Sequence, residues 1–168
     1  MRTVASLTLA CGCLLAAAFA APAVATAANG ARLDNRERTL VRGINHQRAL
    51  HGLAAVKSSG RLARAADYHS WEMLDADYFA HTSRDGSPFD QRIRRYVHKR
   101  ALGETIAYVG GRCGANSARR VVRMWMNSPP HREILLSGTY RRVGIGARTG
   151  RLGSRKACMV TADFSSKR

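Results

Sequence analysis

The last quarter of the chain constrains its fold most. "YRRVGIGA" (140–147) and "CMVTADFS" (158–165) are short apolar runs, and the stretch between them is rich in glycine. The pattern predicts two strands joined by a hairpin whose loop spans Thr149 to Ser154. A lone hairpin is marginal in water, so the preceding residues must cover it. "GETIAYVGG" (103–111) is apolar and bounded by glycines, and reads as a further strand or an extended turn.

Most of the chain before these runs has helical spacing. A helix is expected from Leu33, with Asp34 near its cap and Leu40, Val41 and Ile44 on one side; "HGLAAVKSSG" ends it. Ser58 or Ser59 can cap a second helix, where Leu62, Ala65, Ala66, His69 and Met73 form a stripe. "DGSP" (85–88) is turn chemistry, and Pro88 suits the first turn of a short helix over "PFDQRIRRYV". "NSARRVVRMWMNS" reads as helix with Ala118, Val121, Val122 and Trp125 on one face, and "SPPHREILL" resumes after a proline pair. Helices first and strands later predict an α+β layer arrangement.

The first residues read as an address. Arg2 precedes an apolar, alanine-rich stretch, and "AVA" (23–25) or "ATA" (25–27) offers a small-residue cleavage site. The expected organisation is a secretion signal over 1–27, a short lead over 28–35 and one domain over 36–166. The exported part keeps only Cys113 and Cys158, which are expected to pair outside the cell. There is no CxxC, and two lone cysteines make a poor zinc site. The chain carries 28 Lys and Arg against 11 Asp and Glu, a net charge of +17, and the signal removes only Arg2 from that excess. Such a field favours polyanions: wall polymers, acidic lipids or stray nucleic acid. No nucleic-acid module or run of aromatic platforms is present, so no specific nucleic-acid partner is expected. The basic residues, spread over the whole chain, read as a solvated surface.

Of the histidines, His69 lies on a core stripe and is expected to be a satisfied core residue, while His46, His51 and His98 sit in polar stretches and are expected to be solvated. His81 and His131 differ. Each stands beside prolines and polar turns at the edge of an apolar segment, where an imidazole is partly dry and still reachable. Glu104 is the only acid between Asp90 and Glu133, and a carboxylate beside "TIAYV" requires a partner if buried.

"HTSRDGSPFDQRI", "GETIAYVGG", "WMNSPPHREILL" and "YRRVGIGA" occur in this order and together resemble the bacterial branch of the CAP superfamily, the SCP-like extracellular domains related to cysteine-rich secretory and pathogenesis-related proteins. The likeness runs from "INHQRALHGL" to "TADFSS". It implies a three-layer α-β-α sandwich with a central, mostly antiparallel sheet, and a cleft whose floor carries two histidines and acidic residues. The family histidines fall on His81 and His131, and the family glutamate on Glu104. Thr105 replaces the usual Asn of that word, and Ser128 stands where animal and plant members commonly have a second glutamate.

The expected binding cleft is therefore His81, Glu104, Ser128 and His131. His81 and His131 could hold zinc or another divalent metal weakly, with Glu104 as third ligand, supporting partner or proton acceptor. Alternatively the two rings hydrogen-bond across the cleft and hold nothing. The resemblance implies a secreted, monomeric binding module for a lipid, an envelope polyanion or fragment, or a partner protein. A metal-assisted hydrolase with Glu104 as the candidate catalytic base is the second reading, although neither HExxH nor GxSxG occurs. A basic envelope protein with a vestigial cleft is the third.

Overall fold

The computed structural model describes residues 34–167. The expected secretion signal, and all of the lead except Asp34 and Asn35, lie outside them. Helix α1 spans Asn35–Leu50. Asp34 caps it by accepting from the backbone N–H of Arg36 at 2.8 Å and of Glu37 at 2.9 Å, and the Glu37 carboxylate accepts from the Asp34 N–H. This reciprocal cap satisfies N–H groups that have no partner within the helix. The turn after α1 uses Gly52 at φ 68°. Helix α2 spans Gly60–Asp75 with Ser59 as its cap. Helix α3 is Phe89–Arg94, and Pro88 stands just before its first turn rather than within it. Helices α4 (Ala115–Asn127) and α5 (Pro129–Leu135) follow, the latter opened by its proline pair.

Four strands form one sheet: β1 (Lys57–Ser58), β2 (Leu102–Gly110), β3 (Arg142–Leu152) and β4 (Arg155–Ser165), in the spatial order β1-β3-β4-β2. Only the two-residue β1 is parallel to its neighbour, β3. The hairpin loop is tighter than expected. Pairing runs on from Thr149↔Cys158 to Leu152↔Arg155, leaving only Gly153 and Ser154 to turn the chain. Gly153 at φ 58° permits this, because a two-residue hairpin needs a positive φ at its first position. The loop's glycines therefore mark a turn and a helix contact, not a six-residue break.

Residues of the sheet alternate between two covered faces. Val143, Ile145, Ala147, Val160, Ala162 and Phe164 pack against Leu40, Val41 and Ile44 of α1, Val121, Val122 and Trp125 of α4 and Leu135 of α5. Each Val, Leu, Ile or Phe among them, fully buried, contributes roughly 1.5–3 kcal/mol. Trp125 also donates its indole N–H to the Ile106 carbonyl at 3.0 Å, fastening α4 to β2. On the opposite face α2 lies directly on β3. A Cβ on Gly144 would stand 2.1 Å from the Ala63 nitrogen, and one on Gly146 would stand 2.4 Å from Ala66 backbone atoms. With helices on both faces, the molecule is an α-β-α sandwich around a mostly antiparallel sheet.

Cys113, at the entry to α4, is bonded to Cys158 in β4. Two arginines depart from the expected solvated basic surface. Arg48 is fully buried and donates to the carbonyls of Ala54, Leu135 and Ser137 at 2.7–2.9 Å. Arg92 is fully buried beside Glu104. A guanidinium can be buried where most of its N–H donors find acceptors; both terminal nitrogens of Arg92 do so, while its Nε has no partner. Among the described residues, no helix is long and apolar enough to cross a membrane.

Candidate functional site

Glu104 enters on β2, opposite Asp163 of β4 in the register. Its side chain has no solvent exposure. Oε1 accepts from His81 Nδ1 at 2.7 Å, and Oε2 accepts from the Arg92 guanidinium of α3. Arg92 also donates to the His81 carbonyl at 3.2 Å and to Ser83 Oγ at 3.0 Å, so one side chain ties the loop to the sheet. Burial pushes the Glu104 carboxyl up to about 7, against the pull of Arg92. Asp163 is raised well above the usual carboxylate range by burial, by the charge of Glu104 and by its side-chain hydrogen bond to that carboxylate. It is therefore a neutral acid behind an anionic one.

His69 of α2 is buried next to this pair, as a core histidine should be. Burial and the nearby Arg92 lower it to about 4, which describes a neutral ring. Its hydrogen bonds describe a charged one: Nδ1 meets Glu72 Oε1 at 2.5 Å and Nε2 meets the Ala80 carbonyl at 2.9 Å. The hydrogen bonds carry more weight, because a neutral ring would set a lone pair against a buried oxygen. The cluster then balances two cations, His69 and Arg92, against two anions, Glu72 and Glu104.

His81 faces outward from this platform, its side chain 47% exposed. Since Glu104 takes the Nδ1 proton, the lone pair of a neutral His81 sits on Nε2. His131, half-buried on α5, is hydrogen-bonded through Nδ1 to Ser128 Oγ at 2.9 Å, which leaves its Nε2 free. The ring centroids of His81 and His131 lie 6.5 Å apart, tilted by 35°. Burial lowers both imidazoles, and the His81 charge lowers His131 further. Ser128, at the position of the missing second glutamate, thus becomes the orienting partner of His131. His46, His51 and His98 are exposed and apart from this group.

Among the described residues, no group of three or more His, Cys, Asp or Glu is placed to hold a metal ion. Both Glu104 oxygens are already engaged, so it supports His81 instead of offering a third ligand. Two imidazoles with free Nε2 atoms are the only donors the cleft offers among the described residues. This set does not fit a structural site with four protein ligands or a catalytic one with three.

His131 and Ser128 also line a hollow of about 400 Å³ whose other walls are Phe79, Ile106, Ala107, Tyr108, Met124 and Trp125. Phe79 and Tyr108 meet edge to face at 5.0 Å, and with Met124 they stay 43–46% exposed. The same two rings border a second hollow, of about 390 Å³, that reaches Arg155 and Lys156. The two hollows share the Phe79 and Tyr108 rings and so adjoin as a trough, with His131 and Ser128 lining one part and Arg155 and Lys156 the other.

The elements other than β1 were legible in the sequence, but Arg92, Glu72 and Asp163 were not. The argument that a buried Glu104 needs a partner pointed to a cation without choosing among 24 arginines. Asp163 did carry a signal, as a lone acid on an otherwise apolar strand.

The profile of the cysteine-rich secretory protein family matches residues 41–164. The uncharacterized protein YkwD of Bacillus subtilis (strain 168) is 32% identical over 111 residues, which are 66% of this chain and 41% of that protein. This chain thus spans about two fifths of that curated relative. An extracellular protein containing a SCP domain from Bacillus anthracis str. Ames is similar at 25% identity and a TM-score of 0.65, over 79% of this chain and 40% of that one. An outer surface protein from Borrelia burgdorferi shares the fold at 20% identity and a TM-score of 0.66, over 80% of this chain and 95% of that one.

Proposed function

The chain belongs to the cysteine-rich secretory protein family, and from that footing we propose that it is an exported binding module whose trough takes an anionic amphiphile. One observation carries this reading: Phe79, Tyr108 and Met124 remain nearly half exposed around a concave surface that leads to Arg155 and Lys156. Exposed aromatic rings lining a hollow mark a binding site more often than an idle surface. An apolar tail would lie across Phe79 and Tyr108, and an acidic head would meet the two cations. The extracellular and outer-surface relatives agree with export.

Dodecyl phosphate, followed by titration calorimetry, tests this. The wild type should bind it, and Phe79→Ala with Tyr108→Ala should weaken binding by about tenfold or more. Arg155→Ala with Lys156→Ala should weaken dodecyl phosphate and leave neutral dodecyl maltoside unchanged. Full affinity in the double aromatic variant rejects the trough. All four residues are exposed or line the surface, so an unchanged melting temperature would confirm that the variants fold.

His81 and His131 would hold a divalent cation at the imidazole end of the trough, where it would supply positive charge to an acidic or carbonyl group. Glu104 keeps the His81 proton on Nδ1, and Ser128 orients His131. Zn2+ titration should give weak, exchangeable binding that His81→Ala and His131→Ala each abolish. Equal Zn2+ affinity in either variant sinks this part. Glu104 makes a poor general base, since both of its oxygens are occupied and its side chain does not reach solvent.

A further inference from the structure

Helix α2 carries a second exposed aromatic surface, which shares no residue with the trough. Arg61, Arg64, Tyr68 and Trp71 are spaced as one helical stripe and all face solvent. Tyr68 is 42% and Trp71 43% exposed, whereas Trp125 is 1% exposed in the core. The Tyr68 and Trp71 rings lie 5.5 Å apart at 44°, a paired aromatic surface that still leaves both rings over two fifths exposed. With Arg64, Asp67, Tyr96 and Arg148 they border a shallow depression of about 460 Å³. Arg148 donates Nε–H to Asp67 Oδ1 at 2.6 Å and a further N–H to Oδ2, which fixes a planar polar edge beside the rings. That pair is neutral together, so Arg61 and Arg64 set the sign of the stripe.

We infer that this face of α2 binds an anionic polysaccharide, with sugar rings stacked on Tyr68 and Trp71 and acidic groups on Arg64 and Arg61. Its chemistry favours that occupant over the alternatives. The depression is too open to enclose an acyl chain. A sugar ring presents a flat C–H face to an aromatic ring, and its hydroxyls need acceptors as well as donors. Asp67 accepts, Arg64 donates, and the Tyr68 and Tyr96 hydroxyls do both. A nucleic-acid strand would instead need cations tracking its backbone past each stacked base, and only two arginines lie on the stripe. The net charge of +17 supplies long-range attraction for an acidic polymer.

Trp71 provides the readout, because Trp125 is shielded from quenchers. Oligogalacturonate should shift the Trp71 emission and protect it from acrylamide. Trp71→Ala and Tyr68→Ala should each weaken binding, measured by calorimetry, by about tenfold. Arg64→Ala should weaken it by roughly threefold and flatten its salt dependence. Arg120→Ala removes the same single charge from the outer face of α4 and should leave binding within about twofold. Wild-type affinity in Trp71→Ala, or equal losses from the α2 and α4 arginine variants, would reduce the effect to diffuse charge and overturn the site. Tighter, Trp71-dependent binding of oligothymidylate would assign the face to single strands and overturn the glycan. Binding of dodecyl phosphate by the same variants should be unchanged, which separates this test from that of the trough.

Discussion

Arg92 and Glu104 are an ion pair that water does not reach, and each is worth less alone than together. Removing one partner of a buried pair costs about 3–5 kcal/mol, because the other charge is left in a poor solvent. Arg92→Met should therefore destabilise strongly in urea, and adding Glu104→Gln should restore part of the loss. Additive losses from the two changes would show that they do not act as a pair. The sign of the pH dependence follows from the raised Glu104 carboxyl. The folded protein holds that proton more tightly than the unfolded chain does, so the contribution of Glu104 to stability is full below about 4.5 and is lost as pH rises through about 7. Without Arg92 the carboxyl rises further and the window extends upward. A melting-temperature profile of Arg92→Met that matches the wild type from pH 4 to 8 would contradict this. Local sequence could not reveal the pair, since "RIRRYV" offers three arginines and which of them is buried is decided 12 residues away, on β2.

Element boundaries follow local chemistry where local chemistry decides them. Asp34 and Ser59 cap their helices as their side chains dictate, and the stripe Leu62, Ala65, Ala66, His69, Met73 lies inward on α2. Strand β1 was invisible because two exposed residues, Lys57 and Ser58, carry no periodicity; only the edge of β3 makes them a strand. The glycines of β3 looked like loop formers, yet Gly144 and Gly146 are where α2 touches the sheet backbone. Gly146→Ala should force α2 away from β3 and cost about 1–3 kcal/mol or more, read as a lower urea midpoint. Because His69, Glu72 and the exposed Tyr68–Trp71 stripe all ride on α2, the same change should also disturb the His81 ring, which chemical-shift mapping would register. An unchanged midpoint would mean that the helix has room the coordinates do not give it.

At the scale of the molecule, the layered architecture was readable from the order of helical and extended runs, and the family from four words in sequence. What joins them was not. The neutral acid at Asp163, the charged core histidine and the two buried arginines depend on contacts between segments 10 to 90 residues apart, as in Arg48 to Leu135. The strand order β1-β3-β4-β2 has one further result. β4 follows every other element in the chain and yet stands between β2 and β3. A nascent or partly threaded chain therefore has all five helices before it has a sheet to lay them on. Until β4 emerges, Cys113 has no Cys158 to join and Glu104 lacks its neighbour Asp163, so the sheet cannot close before the last strand is made.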